Sequence, residues 1–235
     1  MDTRTRHALK QDSLAQAAAS GVGWISGHRS GVLRWIVSVV LAGALCIGGL
    51  IYWNVRTSAA DSALGAALDT YDAPLSVPGE PVEAGVYATS TDRSKAAHEQ
   101  FAAVAAKYGW LPEGAKARYF AAVTDRELGQ NAAAEAELKQ VAGSWDHNLS
   151  NLAKLALAGL YHQTGRDAQA IDLYNQLTSK PSETVSAGMA QLGLADLYVA
   201  AGKQDQARAL WAKVKDSDKD GAAGQIAAQK LEGKL

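Results

Sequence analysis

The sequence is poor in the residues that build disulfides and metal sites. It has a single cysteine, Cys46, so no disulfide can form within the chain. No histidine has a second histidine or a cysteine three or four residues away, which is the spacing that zinc sites favour. The fold must therefore rest on its hydrophobic core. We predict no metal-dependent chemistry and no cofactor.

Basic patches and catalytic groupings are also missing. The formal net charge is −1 at pH 7, and the chain beyond residue 34 is mildly acidic, which argues against binding to nucleic acid. No nucleophile stands in a recognisable pattern with a base. Gly21 and Gly23 lack the preceding strand and the third glycine of a phosphate-binding loop. We predict a protein that is not an enzyme and that binds no nucleic acid.

Charge is absent from one long stretch, Trp35 to Trp53. As a helix it would be about 28 Å long, close to the thickness of a bilayer's hydrocarbon core. Trp35 at one end and Tyr52 with Trp53 at the other place amphipathic rings where the headgroups lie. We predict a transmembrane helix at residues 35–53. A helix buried in a protein core is the alternative.

The flanks of this stretch predict its orientation. Residues 1–34 carry five basic and two acidic side chains, whereas residues 54–72 carry one basic and three acidic ones. Positively charged flanks stay in the cytoplasm. We therefore predict a basic cytoplasmic tail at residues 1–34 and an extracytoplasmic domain at residues 54–235. In a diderm bacterium this would be a single-pass inner-membrane protein with a periplasmic domain.

Two processing alternatives are disfavoured. The apolar run is longer than the about 7 to 15 residues of a signal-peptide core, so we predict an uncleaved anchor. Leu45 precedes Cys46 where lipid attachment would need a small residue. Ala44 and Gly48 stand four residues apart and offer a face for close helix contact, so a homo-oligomer is an open alternative.

The segment after the apolar run has an interrupted helical pattern. Residues 57–71 are predicted to continue the membrane helix with little break. Prolines and glycines predict a loop at residues 74–90. Thr91 or Asp92 is expected to cap the next helix, with residues 95–108 helical. That helix should bury three residues at helical spacing: Phe101, Val104 and Tyr108.

From residue 115 onwards the chain repeats itself. A shift of 37 residues aligns 153–173 with 190–210, and ten of these twenty-one positions are identical. A fainter copy lies 36 residues upstream. Each copy has a glycine between two helical stretches: Gly129, Gly165 and Gly202. Repeats of this period indicate a solenoid of stacked helical hairpins.

Each repeat has residues suited to close packing. A glycine can take the left-handed backbone that ends a helix. One small residue in each second helix would let the two helices of a hairpin approach closely: Ala134, Ala170 and Ala207. One large residue in each second helix would fill the space between repeats: Leu138, Tyr174 and Trp211.

These residues resemble the tetratricopeptide repeat (TPR), which has a small residue and an aromatic on its first helix, a glycine at the turn, and an alanine and a large residue on its second. Residues 151–184 and 188–221 match this signature well. Residues 115–148 match with one departure, because Asp125 stands where the aromatic would be.

The resemblance implies the whole fold. Residues 57–108 look like a first repeat split by the proline-rich insertion, and residues 222–232 look like a capping helix. We predict an all-α, TPR-like helical-hairpin solenoid of three to four repeats plus a capping helix, after one N-terminal transmembrane helix. This layout is similar to that of the ancillary subunits of the SecYEG translocon, which are single-pass TPR proteins.

In the repeat family the first helices line a concave groove that binds a partner. By that resemblance nine residues would face a ligand: Tyr119, Val123, Arg126, Leu155, Gly159, His162, Leu192, Asp196 and Val199. Packing within the hairpins is the alternative for some of them. The Lys and Asn by which cytosolic chaperone-binding members hold a terminal carboxylate are absent. We expect an extended or helical apolar segment as the ligand.

One loop resembles the start of a calcium-binding loop. Asp216, Asp218 and Asp220 alternate ahead of Gly221, as in a helix-flanked calcium site. The position of the closing glutamate is occupied by Ala227. The loop is therefore a weak metal candidate, and a solvated loop is the expected interpretation.

The layout predicts a non-enzymatic, membrane-anchored scaffold for protein–protein interaction. The family resemblance implies a role in translocon or periplasmic chaperone traffic, with translocon subunits, chaperones or exported clients as partners. The alternative is a structural subunit of a cell-division or envelope-assembly complex. An accessory role beside an enzyme is a further possibility.

Overall fold

The computed structural model describes residues 29–77 and 84–233. The chain divides into two compact units, Met1–Arg56 and Thr57–Leu235. The predicted tail, as far as residue 28, and the centre of the predicted loop, residues 78–83, lie outside the described residues. The described residues form these helices: α1 Arg29–Tyr71, α2 Ser90–Tyr108, α3 Pro112–Glu127, α4 Asn131–Ala142, α5 His147–Gln163, α6 Asp167–Ser179, α7 Ala187–Ala200, α8 Gln204–Ser217 and α9 Ala222–Leu231.

Helix α1 contains the whole charge-free stretch. The expectation that the apolar helix continues into residues 57–71 with little break is confirmed, because α1 runs from Arg29 to Tyr71 as one helix. Among the described residues one helix is long and apolar enough to cross a membrane, Leu33–Tyr71, and none of its apolar window is buried. Its large side chains between Leu33 and Val55 are exposed.

Within the second unit, the last part of α1 pairs with α2 as a first hairpin. Ala60, Leu64 and Ala67 are buried in one cluster with residues of α2 and α3. The predicted burial of three α2 residues is confirmed: Phe101, Val104 and Tyr108. The ends of the connecting loop are held together, since the Ser76 amide donates to the Tyr87 carbonyl over 2.9 Å.

Helix α2 begins five residues earlier than predicted, and its cap is a different residue. Thr89, rather than Thr91 or Asp92, is the N-cap, and its hydroxyl accepts from the Asp92 amide over 3.1 Å. The same hydroxyl donates to the Asp92 carboxylate over 2.7 Å. Asp92 therefore belongs to the same cap, three residues after the N-cap Thr89, and the two residues bond to each other. This explains why the position of Asp92 looked like a helix start.

Three further hairpins follow, α3–α4, α5–α6 and α7–α8, and α9 packs on the last of them. The turn glycines have positive φ as predicted, +75° at Gly129, +73° at Gly165 and +72° at Gly202. The alanines predicted at the close contacts are fully buried: Ala134, Ala170 and Ala207. The large residues predicted between repeats are also buried: Leu138, Tyr174 and Trp211.

Hydrogen bonds define two opposite edges of this array. At one edge Tyr71, at the end of α1, donates to Glu127, at the end of α3, over 2.6 Å. We call this the turn edge, and it includes turns 128–130, 164–166 and 201–203. At the other edge Ser150, early in α5, donates to the Ala142 carbonyl over 2.6 Å, and Asn151 donates to the Lys180 carbonyl over 2.9 Å.

We call this second edge the loop edge. It is formed by the connections between successive hairpins, 109–111, 143–146, 180–186 and 218–221. The first helix of every hairpin therefore starts at the loop edge and ends at the turn edge. This shared direction places the predicted groove residues of α3, α5 and α7 side by side.

Candidate protein-binding groove

The nine predicted groove residues lie on the first helices of three successive hairpins. Tyr119, Val123 and Arg126 are on α3, Leu155, Gly159 and His162 on α5, and the remaining three on α7. Seven of the nine are half-buried, the state expected for the floor of an open groove.

Helices α3 and α5 meet at Arg126 and Gly159. A side-chain carbon placed on Gly159 would come to 3.8 Å from an Arg126 guanidinium nitrogen, so the arginine lies over the glycine. No ion pair or hydrogen bond joins the Arg126 side chain to another described residue. Burial raises the pKa of Tyr119, and the charge of Arg126 partly opposes this rise. The groove thus has an unpaired cation beside a tyrosine.

The other charged groove residues have partners. His162 Nδ1 lies 2.8 Å from an oxygen of Asp167, across the α5–α6 turn. Lys230 of α9 donates to Asp196 over 2.9 Å. The capping helix therefore neutralises the acidic position at the far end of the groove. Of the groove charges among the described residues, the one at Arg126 is left available to a ligand.

Leu192 must be reassigned from the groove to the core. Its exposed fraction is 8%, and it belongs to a buried cluster with Ala195, Ala207 and Trp211. Helix α7 is the first helix of the last hairpin, and it is covered by α8 and α9. Leu192 on α7 is therefore part of the core. Val199 packs partly on the same cluster.

Tyr119 and Leu155 have mixed roles. Both pack against the central core cluster while remaining half-buried. Val123 belongs to no core cluster in the described chain, so its half-exposed side chain is the clearest apolar groove position.

Sequence reasoning missed a buried polar pair between α2 and α3. Asp125, the residue that replaces the repeat aromatic, has an exposed fraction of 2%, and its carboxylate lies 3.2 Å from His98 Nδ1. Burial raises the pKa of Asp125, while the nearby His98 works to lower it. The departure from the aromatic signature was visible in the sequence, but the partner of Asp125 lies 27 residues away, in the first hairpin, where the repeat signature is interrupted.

A second polar cluster ties two hairpins together. Glu135 of α4 accepts from Arg166 and from Lys139, each over 2.7 Å. Arg166 lies over the ring of Tyr161, 4.4 Å from its centroid. These two partners hold the pKa of Glu135 down at about 2. Nothing in the repeat signature marks these residues.

Two clefts lie outside the groove. One, of about 520 Å³, is at the loop edge and is lined by Trp145, His147, Lys154 and Lys180 among others. The other, of about 380 Å³, is beside His98 and Asp125. Neither cleft includes any of the nine groove residues.

The loop with alternating aspartates has a structural role. Asp218 accepts from the Gly224 amide over 3.2 Å, at the start of α9. A side-chain carbon on Gly221 would come to 2.0 Å from an Asp218 oxygen, so the carboxylate folds back over its own loop. Within the described ranges no group of three or more metal-type side chains comes together, and Asp216 and Asp220 do not join Asp218 in one.

Comparison with known proteins identifies the family. A family model described as the tetratricopeptide repeat-like domain matches residues 32–232. The chain belongs to this family. The match includes most of α1 as well as the repeats, which extends the family well beyond the two strongest repeats in the sequence.

A solved structure shows the same fold at low identity. A crystal structure of TPR-like repeats of a Podospora anserina kinesin light chain has a TM-score of 0.54 and 17% identity, and the match covers 73% of this chain and 82% of that chain. A search of curated proteins finds no match. Repeat arrays of this kind are typically non-enzymatic scaffolds for protein–protein interaction.

Proposed function

We propose that this TPR-like protein is a membrane-anchored, non-enzymatic scaffold that holds an apolar segment of another polypeptide in its groove, outside the cytoplasm. The setting we propose is translocon or periplasmic chaperone traffic. The observation that carries the proposal is the groove between α3 and α5, where half-exposed Val123 and Tyr119 adjoin Arg126.

The chemistry of the groove favours a particular ligand. Half-exposed apolar side chains lose contact with water when an apolar segment covers them, and this stabilises the complex. The Arg126 guanidinium, left without a carboxylate from its own chain, favours a carboxylate on the segment. A mostly apolar segment with an acidic residue fits these features best.

Site-specific crosslinking in cells tests the groove. A photo-crosslinking amino acid at Val123 should capture other polypeptides, whereas the same group at exposed Gln169, on second helix α6, should capture far fewer. Many different captured clients would favour chaperone traffic. One captured partner at equal stoichiometry would favour the structural-subunit alternative. Equal capture at the two positions would contradict the groove.

The anchor and its orientation need a separate measurement. A reporter that is active only outside the cytoplasm, fused after Leu235, should be active. The exposed apolar surface of α1 and the excess of basic residues before it support this expectation. An inactive fusion at this end, with an active fusion at Met1, would reverse the topology.

A further inference from the structure

Two exposed tryptophans lie at corresponding points of the array. Trp145 has an exposed fraction of 88% and Trp110 one of 54%. Both are in connections between hairpins, Trp110 between α2 and α3 and Trp145 between α4 and α5. They are 35 residues apart, about one repeat period. Tryptophan has a large apolar ring and a polar N–H, and it is enriched at protein interfaces and at membrane–water interfaces.

Both tryptophans are on the loop edge, as the hydrogen bonds of that edge require. The connection with Trp145 is fixed to its neighbour, because Thr184 donates to the Asn148 carbonyl over 2.9 Å and His147 Nε2 lies 3.2 Å from the Pro181 carbonyl. The connection with Trp110 precedes α3, which runs parallel to α5. The two indoles therefore mark one side of the array.

The cleft beside Trp145 is lined by basic and polar side chains and by no acidic one, although Asp146 and Glu183 lie in the same two connections. This cleft, of about 520 Å³, includes Lys154 and Lys180 in its lining. Neither lysine forms an ion pair with another described residue. Polar groups complete the lining, from Ser144, Gln176 and buried Asn151. Indoles next to free ammonium groups and a polar cleft match the chemistry of a phospholipid surface, with its apolar–polar boundary and phosphates.

The start of the array is also at the loop edge. Tyr71, the end of α1, is at the turn edge, so the α1 residues from Thr57 begin at the opposite edge. Thr57 follows Trp53, the end of the charge-free stretch, by four residues. The chain therefore enters the array on the side that carries the two tryptophans.

We propose that the loop edge around Trp110 and Trp145 rests on the headgroup layer of the membrane, with both indoles at the interface and Lys154 and Lys180 near lipid phosphates. This proposal rests on the proposed membrane anchor. The contact involves the first three connections of the array, because Lys180 begins the connection at residues 180–186. Asp218 and Asp220 lie in the last connection and Asp216 lies near the end of α8, and an anionic lipid surface repels all three.

Depth-dependent quenching in vesicles tests the contact. The full-length chain with Cys46→Ser has no other cysteine, so one label can be placed at Ser144→Cys on the loop edge. Matched labels are placed at Gln130→Cys on the turn edge and at Val55→Cys, beside the end of the charge-free stretch. The vesicles are phosphatidylcholine with some phosphatidylglycerol and a lipid that carries a nitroxide on its headgroup.

The expected result is strong quenching at Ser144 and Val55 and several-fold weaker quenching at Gln130. In the double variant Trp110→Ser, Trp145→Ser, quenching of the label at residue 144 should fall to the level seen at residue 130. Quenching at residue 55 should stay unchanged. Since both indoles are exposed, this double variant should keep its helical circular dichroism spectrum.

The two proposals fail in different ways. If the label at residue 55 is quenched but the label at residue 144 is quenched no more than the label at residue 130, the membrane contact alone is overturned. The two tryptophans would then be a contact site for a protein partner. Absence of quenching at Val55 overturns the anchor, and the membrane contact with it. Unchanged quenching at Ser144 in the double tryptophan variant overturns the role of the indoles.

Discussion

The first hairpin and the later repeats are held together by different means. In the later repeats, buried alanines such as Ala170 and Ala207 bring helices together, and one large side chain fills each gap. Around the first hairpin, alanines such as Ala60 and Ala97 are fully buried too, but aromatic rings are added to them. Phe101 stacks on Phe120 at 5.2 Å between centroids, and Tyr71 meets Phe101 edge-on at 6.2 Å. The same hairpin architecture therefore tolerates two kinds of interior.

Polar contacts widen this difference. Glu127 accepts from both Tyr71 and Ser94 over 2.6 Å. Burial, followed by the hydrogen bond to Glu127, raises the pKa of Tyr71 to about 12. These two bonds join α1, α2 and α3 by directional contacts. In the later repeats the polar cluster at Glu135 is formed by charged donors and links α4 to the α5–α6 turn, whereas at Glu127 the donors are the hydroxyls of Tyr71 and Ser94.

The largest expected effect comes from the aromatic cluster. Phe101→Ala should lower the free energy of unfolding by about 3–5 kcal/mol, because the phenyl ring is fully buried and its removal leaves a void. Urea unfolding of the full-length chain in mild detergent, followed by circular dichroism, measures it. Ala103→Gly at an exposed site on the same helix is the control for helix propensity, with about 1 kcal/mol expected. Equal losses would contradict the importance of the ring cluster.

The corresponding test in the regular repeats is overpacking. Ala170→Leu should cost about 1–3 kcal/mol, because the residue is fully buried where two helices touch. Ala168→Leu, two residues earlier on the exposed side of α6, should change stability by no more than about 0.5 kcal/mol. The midpoint of urea unfolding distinguishes them. If Ala170→Leu has the same urea midpoint as Ala168→Leu, the alanine contact does not limit the spacing of the helices.

The pH dependence of stability should differ in sign between the two regions. The folded-state pKa of Glu135 is about 2, below its ordinary value of 4.5. Its contribution is therefore complete above about pH 4.5 and is lost as the pH falls towards 2. Glu135→Gln should remove this part of the acid sensitivity, as seen in the melting temperature over that range.

Asp125 should behave in the opposite way. Its folded-state pKa is raised, mainly by burial, so protonation favours the folded chain and its contribution grows as the pH falls. Compared with the parent, Asp125→Asn should be relatively more stable near neutral pH than in acid. The titratable side chains that act on Asp125, those of His98 and Glu137, are kept in both proteins. Parallel melting curves for parent and variant would refute the assignment.

The smallest effect on stability is expected in the groove. Val123→Glu should change stability by no more than about 0.5 kcal/mol, because its half-exposed side chain lies outside the core clusters. Leu192→Glu should instead destabilise the array markedly, since it buries a carboxylate. Thermal melts measure both changes. If Leu192→Glu is harmless and Val123→Glu unfolds the chain, the groove and core faces have been exchanged.

The regular repeats could be predicted from the sequence because the residues that form each turn and each close contact are near one another in the chain. Gly165 and Ala170 lie five residues apart, so their spacing carries both the turn and the close contact. The cap was predicted at Thr91 or Asp92, two or three residues after its actual position at Thr89. Asp92 belongs to the same cap and is itself a residue type that favours helix starts. Helix existence was predictable there, but its first residue was not.

The polar and surface features could not be predicted in the same way. His98 and Asp125 meet only because α2 and α3 are antiparallel, which no local pattern reveals. Leu192 has the groove position of the repeat signature, yet the covering helices make it part of the core. The loop-edge tryptophans repeat at about the hairpin period, and that spacing was a signal available in the sequence.

Each hairpin packs mainly against its immediate neighbours, and this affects how the chain folds. The clusters join residues from successive helices, so most contacts close short loops. Chains with such local contacts fold quickly, and their first segments can fold before the last ones exist. A newly made chain can therefore add one hairpin at a time, which exposes the apolar face of a single hairpin at any moment and limits the time in which the chain can aggregate.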